Sequence, residues 1–255
     1  MTVENSWTLS PLNKKFLLGN DELHIWRTKI SENTKYLNDY WSLLTQYEQI
    51  QAKSFYFIKD RNRYIVTRAI LRKLLKGYLG SVQSKNILFE QTKYGKPYLH
   101  HSMNITNIKF NLSHSNDCIV YVFSKNIDVG IDIEYINKDL IIDDIVEHCC
   151  SNQEQIELQK LFNDNKYAYF YKLWVIKEAL VKAMGLGLSF DLRQMHINFA
   201  ENKLINAINV IDSSKLCWTL DMFSTYNGYY SAFAAKNPIK RVIFLTFEDE
   251  SRGLI

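Results

Sequence analysis

The sequence predicts an α+β fold made of two similar halves with a ligand site where they meet. A long helix that ends in glycines is followed by a cluster of short strands, and this order occurs twice in the 255 residues. The stretches Asn111–Lys125 and Phe223–Lys236 also resemble each other weakly, which indicates an internal duplication. We therefore expect two pseudo-symmetric halves, residues 1–126 and 127–255, and a cleft at their interface, because ligand sites favour such clefts.

The first half is predicted to contain a basic amphipathic helix over Ala52–Leu79, which ends at Gly77 and Gly80. A shorter helix is expected over residues 38–50. Runs of β-branched and aromatic residues between turn residues predict strands at His24–Trp26, Ile87–Glu90, Ile108–Leu112 and Cys118–Ser124.

The second half is predicted to contain a helix from Asn165 that ends at Gly185, since glycine adopts a left-handed φ at little cost. Residues 143–162 are predicted to be helical with a break near Ser151. The same strand signals predict strands at Val129–Tyr135, Met195–Phe199, Leu216–Leu220, Tyr229–Ala234 and Val242–Phe247.

Composition limits the class of function. The net charge of +4 suits a phosphate-bearing or acidic partner and is too small to indicate nucleic acid binding. No apolar run is long enough to span a membrane, and the N-terminus lacks a signal-peptide pattern. The four cysteines have neither a disulfide-framework nor a zinc spacing, and the six histidines are expected to form no ligand cluster. We expect a cytoplasmic protein with reduced thiols.

Two carboxylates alternate along the predicted strand Val129–Tyr135. Asp132 and Glu134 share one face with Gly130, because side chains two residues apart point to the same side of a strand. Oxygen ligands of this kind suit Mg²⁺ together with substrate phosphates. An exposed strand face that carries charge explains the pentapeptide about equally well.

The helix that ends at Gly185 presents Trp174, Glu178 and Lys182 on one face, at positions i, i+4 and i+8. A surface Glu–Lys pair that supports the helix is the simpler interpretation. If Glu178 lies near the strand, however, three acids surround one cation, with Lys177 and Lys182 close by. A metal ion would then neutralise carboxylates that otherwise repel one another, as phosphoryl transfer requires.

Three further stretches offer phosphate-binding groups. His114 in Asn111–Ser115 is either a packed turn histidine or a donor to a phosphate. Lys96 is presented by the turn at Tyr94–Tyr98, although this is also an ordinary hairpin sequence. Arg63 lies on the basic helix, whose charges equally suit a solvated face. The chain lacks the nucleophile elbow of serine hydrolases and the P-loop of nucleotidases.

Four of these stretches, taken in order, resemble the Sfp-type 4′-phosphopantetheinyl transferases, and the Lys-Glu-Ala tripeptide resembles one branch of that family. They are Gly95–Pro97, Asn111–Ser115, Gly130–Glu134 and Trp174–Lys182. The resemblance implies two pseudo-symmetric α+β halves with the active site between them. It also implies an enzyme that transfers the 4′-phosphopantetheine arm of coenzyme A to a serine of an apo acyl or peptidyl carrier protein, releasing 3′,5′-ADP. The pathway served, fatty-acid, polyketide or nonribosomal peptide synthesis, stays open.

The resemblance also assigns residue roles. Asp132, Glu134 and Glu178 would hold Mg²⁺, with Glu178 also acting as general base and Lys182 steadying the leaving phosphate. The coenzyme A contacts would be Lys96, Ser113, His114, Lys177, Lys182, Arg63 and Lys53. Glu48 and Gln51 occupy positions where the family's best-known members lead us to expect basic residues, and Lys53 is a candidate substitute.

The expected partner is a small acidic helical carrier protein that docks on the stretch from Lys138 to Phe162, and a monomer is expected from the duplication. Two alternatives remain at this stage. One is another Mg²⁺-dependent phosphodiester enzyme such as a nuclease, although Tyr135 and Ile136 follow Glu134 where such enzymes need a nearby lysine. The other is a non-enzymatic binding module that uses the basic stretch Lys53–Lys76, which predicts salt-sensitive binding of nucleic acid.

Overall fold

A computed structural model describes residues 6–10, 15–80, 82–199, 205–208 and 218–249. The first half of the chain contains β1 Thr8–Leu9, β2 Glu22–Lys29, α1 Ile30–Asn33, α2 Leu37–Leu43, α3 Gln46–Lys53, α4 Ile58–Leu79, β3 Phe89–Gln91, β4 Pro97–Leu99, β5 Ile108–Ser115 and β6 Cys118–Lys125. The second contains β7 Val129–Tyr135, α5 Asp143–Cys149, α6 Asn152–Gln159, α7 Asn163–Met184, β8 His196–Phe199, β9 Ile205–Ile208, β10 Trp218–Met222, β11 Tyr229–Lys236 and β12 Arg241–Thr246.

The two halves repeat one arrangement, which confirms the predicted α+β fold. Strand β2, the 22-residue helix α4, the hairpin β3–β4 and the strands β5 and β6 follow one another in the first half. Strand β7, the 22-residue helix α7, the hairpin β8–β9 and the strands β10 and β11 do so in the second. The strand orders β2-β6-β5 and β7-β11-β10 also correspond.

The halves stack as four layers, helix–sheet–sheet–helix. Helix α4 packs on one face of the first sheet through a cluster that includes Leu74, Tyr121 and Phe123. Helix α7 packs on one face of the second sheet through Leu173, Leu180 and Ala234 among others. A third cluster lies between the two sheets and includes Ile25, Val122, Ile131 and Ile133. Strand β6 alternates between the first and third clusters, which explains its continuous apolar run.

The last strand crosses between the halves. The division expected at residue 126 falls in the turn between β6 and β7, but β12, which lies in the predicted second half, joins the sheet of the first half. Strand β12 pairs in parallel with β2, with Val242 opposite Leu23, and so completes the first sheet in the order β1-β12-β2-β6-β5. This pairing joins residues that are far apart in sequence, and no local sequence pattern predicts it.

Several element boundaries differ from the predicted ones. The helix expected over 38–50 is divided into α2 and α3 at Leu44 and Thr45, where Thr45 and Glu48 form a capping box. The basic helix begins at Ile58, after a break that follows α3. The break expected near Ser151 is present, and Ser151 caps α6 together with Glu154. Strands β1, β4 and β9 were not predicted, and residues 216 and 217 of one predicted strand lie outside the described residues.

Candidate active site

Strand β7 and helix α7 approach each other closely because Gly130 has no side chain. A Cβ atom at Gly130 would lie 2.0 Å from the carbonyl oxygen of Ala179 and 2.4 Å from the amide nitrogen of Ala183. The alternation predicted for this strand holds, since Val129, Ile131 and Ile133 pack into the core between the sheets. Gly130, Asp132 and Glu134 therefore share the face that is turned toward α7.

Strand β5 is connected to β7 by side chains at alternating positions. Asn111 Oδ1 accepts a hydrogen bond from the amide of Ile131 at 3.0 Å. Ser113 Oγ donates to Asp132 Oδ1 at 2.8 Å, and Ser115 Oγ donates to Glu134 Oε2 at 2.7 Å. These bonds join the edges of the two sheets and orient both carboxylates.

Ser113 was predicted to contact coenzyme A, whereas no role was predicted for Asn111 or Ser115. The signal that would have identified them is the shared period of two, because both serine–carboxylate pairs are separated by 19 residues. Since the hydroxyl of Ser113 faces Asp132, its described contacts belong to the acid cluster.

Helix α7 brings its predicted face to the same place. The Nζ atom of Lys182 donates to Asp132 Oδ1 at 2.6 Å and to Ser113 Oγ at 3.0 Å. The side chain of Trp174 lies beside the carboxylate of Glu134 and stabilises its charged form. Glu178 lies between them on the helix and interacts electrostatically with Lys182 and Asp132. The candidate residues Asp132, Glu134, Glu178 and Lys182 are therefore neighbours.

Burial makes the charged forms of the three acids costly. Asp132 is 2% exposed, and desolvation raises its pKa although Lys182 and Ser113 oppose this effect. Desolvation also raises the pKa of Glu134, and the adjacent charge of Asp132 adds to the increase. The pKa of Glu178 is raised chiefly by desolvation, with Lys182 opposing the shift. A bound cation would relieve this cost.

The donor set fits Mg²⁺. Oδ2 of Asp132 is buried and has no hydrogen-bond partner among the described residues, and an unpaired buried carboxylate oxygen is uncommon. The donors that Asp132, Glu134 and Glu178 offer are all carboxylate oxygens, which Mg²⁺ prefers. The carboxylate oxygens of the three residues do not, however, all lie within 4.8 Å of one another. The Lys182 amine donates to Oδ1, the other carboxylate oxygen of Asp132.

A basic group borders the acid cluster. His114 projects from β5 with an exposed edge, and desolvation together with the charges of Arg63 and Lys182 lowers the pKa of its ring. Arg63 also forms an ion pair with Asp60, at 3.0 Å, on the first turns of α4. Arg63, His114 and Lys182 thus place donors for an anion beside the carboxylates.

Lys96 connects the two halves. Its Nζ atom donates to the carbonyl oxygens of Val129, at 3.0 Å, and Ala183, at 3.2 Å. Desolvation lowers the pKa of Lys96 to about 8. The residue also lines a cavity of about 480 Å³ together with Asp128, Met184 and Gly185. In this arrangement the Lys96 amine binds backbone at the start of β7 and the end of α7.

Lys177, which was predicted to contact coenzyme A, is buried inside the second half of the chain in this structure. Its side chain is 1% exposed and its Nζ atom lies 2.5 Å from Oε2 of Glu154, which is fully buried. The same amine donates to the carbonyl oxygens of Cys149 and Leu192. Lys177 therefore anchors α7 inside the second half, one residue before Glu178.

Glu48 has a structural explanation. It is 2% exposed, forms ion pairs with Arg68 and Arg72 of α4, and joins α3 to that helix. Lys53, the proposed substitute, ends α3 with its Nζ atom 5.7 Å from the centre of the Trp41 ring. Within the described part of the chain, no contact joins Lys53 to the acid cluster.

The comparisons with known proteins cover both halves. A profile of the 4′-phosphopantetheinyl transferase superfamily matches residues 128–234, and a profile of the 4′-phosphopantetheinyl transferase N-terminal region matches residues 26–126. Among the helices within the described ranges, none is long and apolar enough to cross a membrane.

Individual proteins similar to this chain are 4′-phosphopantetheinyl transferases as well. The 4′-phosphopantetheinyl transferase HetI of Nostoc sp. is 31% identical over 187 residues, which is 73% of this chain and 78% of HetI. The transferase gsp of Aneurinibacillus migulanus is 35% identical over 55% of this chain and 56% of the length of gsp. The transferase Sfp of Bacillus subtilis is 26% identical over 81% of this chain and 87% of its own. With its fold, its acid cluster and these matches, the chain belongs to the 4′-phosphopantetheinyl transferase family.

Proposed function

We propose that this enzyme transfers the 4′-phosphopantetheine arm of coenzyme A to a serine of an apo carrier protein and releases 3′,5′-ADP. The observation that carries the proposal is the buried carboxylate of Asp132, which has one unpaired oxygen and lies against Lys182 beside Glu134 and Glu178. The family matches over both halves support the same reaction.

The reaction is a displacement at phosphorus. The hydroxyl oxygen of the carrier serine forms a bond to the phosphorus that bears the pantetheine arm, and the bond from that phosphorus to the oxygen of 3′,5′-ADP breaks. Glu178 accepts the serine proton, directly or through water. Lys182 offsets the negative charge that develops on the leaving phosphate.

Asp132, Glu134 and Glu178 would hold Mg²⁺. When bound, the ion would neutralise negative charge on the pyrophosphate and on the three acids. Ser113 and Ser115 orient two of these carboxylates through the hydrogen bonds described above. Dependence on Mg²⁺ is part of the proposal.

The basic group would bind the phosphates of coenzyme A. Arg63 and His114 offer donors beside Lys182, and a guanidinium can bind a phosphate through two hydrogen bonds. Lys96 remains a candidate contact, and its amine would have to leave the carbonyl oxygens of Val129 and Ala183 or bind through its remaining proton. A coenzyme A contact from Lys53 also remains a prediction.

The carrier protein is proposed to dock on the stretch from Lys138 to Phe162. Three apolar side chains there are exposed: Ile141 (71%), Ile156 (53%) and Phe162 (75%). The exposed charges of this stretch are mostly acidic. An acidic carrier would therefore be held here by apolar contacts and would meet favourable charge at the basic residues of α4. A cytoplasmic location and a monomeric state also remain predictions; light scattering checks the second.

The test is the intact mass of apo carrier proteins after incubation with the enzyme, coenzyme A and Mg²⁺. A gain of one phosphopantetheine arm that disappears with a chelator, and returns when Mg²⁺ is restored, supports both the reaction and the ion. A gain that survives the chelator contradicts Mg²⁺ dependence alone. No gain with acyl and peptidyl carriers, together with no calorimetric binding of coenzyme A, contradicts the proposed function.

A further inference from the structure

Glu90, His100 and His101 form a cluster that sequence analysis did not anticipate. It is the one group of three or more histidine, cysteine or acidic residues within the described ranges whose ligand atoms all lie within 4.8 Å of one another. Glu90 lies on β3, and the two histidines directly follow β4. The expectation that the histidines form no ligand cluster was therefore wrong, because the hairpin adds a carboxylate to an adjacent histidine pair.

The spacing within the cluster suits one shared ion. Nε2 of His100 lies 3.4 Å from Oε1 of Glu90, and the ring centroids of His100 and His101 are 4.2 Å apart. Two ligands of a tetrahedral ion with bonds of about 2.0–2.1 Å lie roughly 3.3 Å apart. The carboxylate and the imidazole are therefore already near the separation that a shared ion would require.

The ligands are held by their surroundings. The backbone amide of His100 donates to the carbonyl oxygen of Leu88 at 3.0 Å, which extends the pairing of β3 and β4. Nδ1 of His100 lies 2.7 Å from Ser102 Oγ, and Glu90 is paired across the hairpin with Tyr98. Contacts of this kind orient metal ligands. Nδ1 also accepts a hydrogen bond from the backbone amide of Ser102 at 3.2 Å, so the ring proton of the metal-free protein lies on Nε2, facing Glu90. Metal binding at Nε2 would require this proton to move to Nδ1, where Ser102 Oγ could accept it and the contact with the Ser102 amide would be lost.

We propose that Glu90, His100 and His101 bind a divalent transition-metal ion of the zinc class, with water completing the coordination. Two imidazoles and one carboxylate are ligands that Zn²⁺, Co²⁺ and Ni²⁺ prefer over Mg²⁺, so this site differs in chemistry from the all-oxygen acid cluster. His101 also lines the cavity that contains Lys96, and a bound ion would lie at its rim.

The experiment is a Co²⁺ titration of protein whose purification tag has been removed, followed by visible absorption. In excess Mg²⁺, which would occupy the acid cluster, the expected result is one Co²⁺ per chain with ligand-field bands, which Zn²⁺ abolishes. The thiolate charge-transfer band should be absent, because coordination by Cys118, Cys149 or Cys150 would produce it. Co²⁺ binding without the ligand-field bands, Co²⁺ binding with the thiolate band, or Co²⁺ binding that Mg²⁺ displaces would overturn the assignment.

Variants identify the ligands. His101→Ala and Glu90→Gln should each weaken Co²⁺ binding about tenfold or more. His148→Ala is the matched control, because His148 is an exposed histidine on α5 outside the cluster. Equal binding by the wild type, His101→Ala and Glu90→Gln would contradict the proposal. Because the readout is a spectrum, its result is independent of whether the protein transfers phosphopantetheine.

Discussion

Lys182 and Asp132 form a salt bridge, with 2.6 Å between Nζ and Oδ1, that joins helix α7 to strand β7. The carboxylate is buried, whereas the lysine side chain is 29% exposed. The pair thus consists of a carboxylate that the fold desolvates and an amine that still reaches solvent. This arrangement suggests that the acid is retained for chemistry rather than for stability, since a raised pKa means that the fold disfavours its charge.

Asp132→Asn should separate these two roles. We expect transfer to fall about 100-fold or more through loss of an ion ligand. The melting temperature should stay the same or rise, because a neutral amide avoids the desolvation cost of the charge. Activity assays and thermal unfolding measure the two effects. A large loss of melting temperature would instead show that Asp132 mainly supports the fold.

Glu178→Gln tests the general base. The amide keeps the shape of the side chain but cannot accept the serine proton, so kcat should fall about 100-fold or more. Glu248→Gln, an exposed change after β12 and outside the proposed docking stretch, is the control and should leave kcat unchanged. Near-normal turnover by Glu178→Gln would remove Glu178 from the mechanism.

Lys177→Met tests whether Lys177 anchors the helix. Removing the amine leaves Glu154 charged and buried, which should cost about 3–5 kcal/mol of unfolding free energy. The double change Lys177→Met/Glu154→Gln should recover part of this loss, since the amide that replaces the carboxylate would carry no charge. Urea unfolding of the wild type, both single variants and the double variant measures the coupling.

The kinetics of the double variant distinguish this role from the coenzyme A contact first predicted. An anchoring role leaves the Michaelis constant for coenzyme A close to that of the wild type in any fraction that folds. A clear rise in that constant, with stability unchanged, would restore Lys177 to the substrate site.

Lys177 and Glu178 show what a helical sequence pattern can and cannot predict. Successive residues of an α-helix are turned by about 100°, so neighbours in sequence face different directions. Glu178 shares a face with Trp174 and Lys182, and this grouping was predictable. Lys177 follows Ile176 of the apolar face into the core, and its partner Glu154 lies on another helix. A buried pair of this kind depends on how helices pack, which local periodicity does not reveal.

The strands show the same division. The alternation of Asp132 and Glu134 was predictable because a strand has a period of two. The parallel pairing of β12 with β2, and the serine contacts from β5 to β7, join distant parts of the chain. Matching periods in the sequence indicate that such contacts between strands can form, but they do not predict which strands pair.

Gly130→Ala tests the close approach of β7 and α7. The added Cβ would meet backbone atoms of Ala179 and Ala183 that no side-chain rotation can move. We expect a loss of about 1–3 kcal/mol or more of unfolding free energy, together with reduced transfer as Glu178 moves away from Asp132. Gly19→Ala is the control, because its nearest contact is the flexible side chain of Glu22. Wild-type stability and activity in Gly130→Ala would contradict the need for this contact.

The buried ion pairs of Glu48 should make stability depend on pH. The charges of Arg68 and Arg72 outweigh the desolvation of Glu48 and lower its pKa below the ordinary value of 4.5. A carboxylate whose pKa is lower in the folded state contributes stability above its unfolded pKa and loses it as the pH falls through the folded pKa. Below pH 4.5, the wild type should therefore lose its stability advantage over Glu48→Gln. Urea unfolding of both proteins between pH 7 and the acid limit of folding measures the difference, and a constant difference would show that the ion pairs add nothing that titrates.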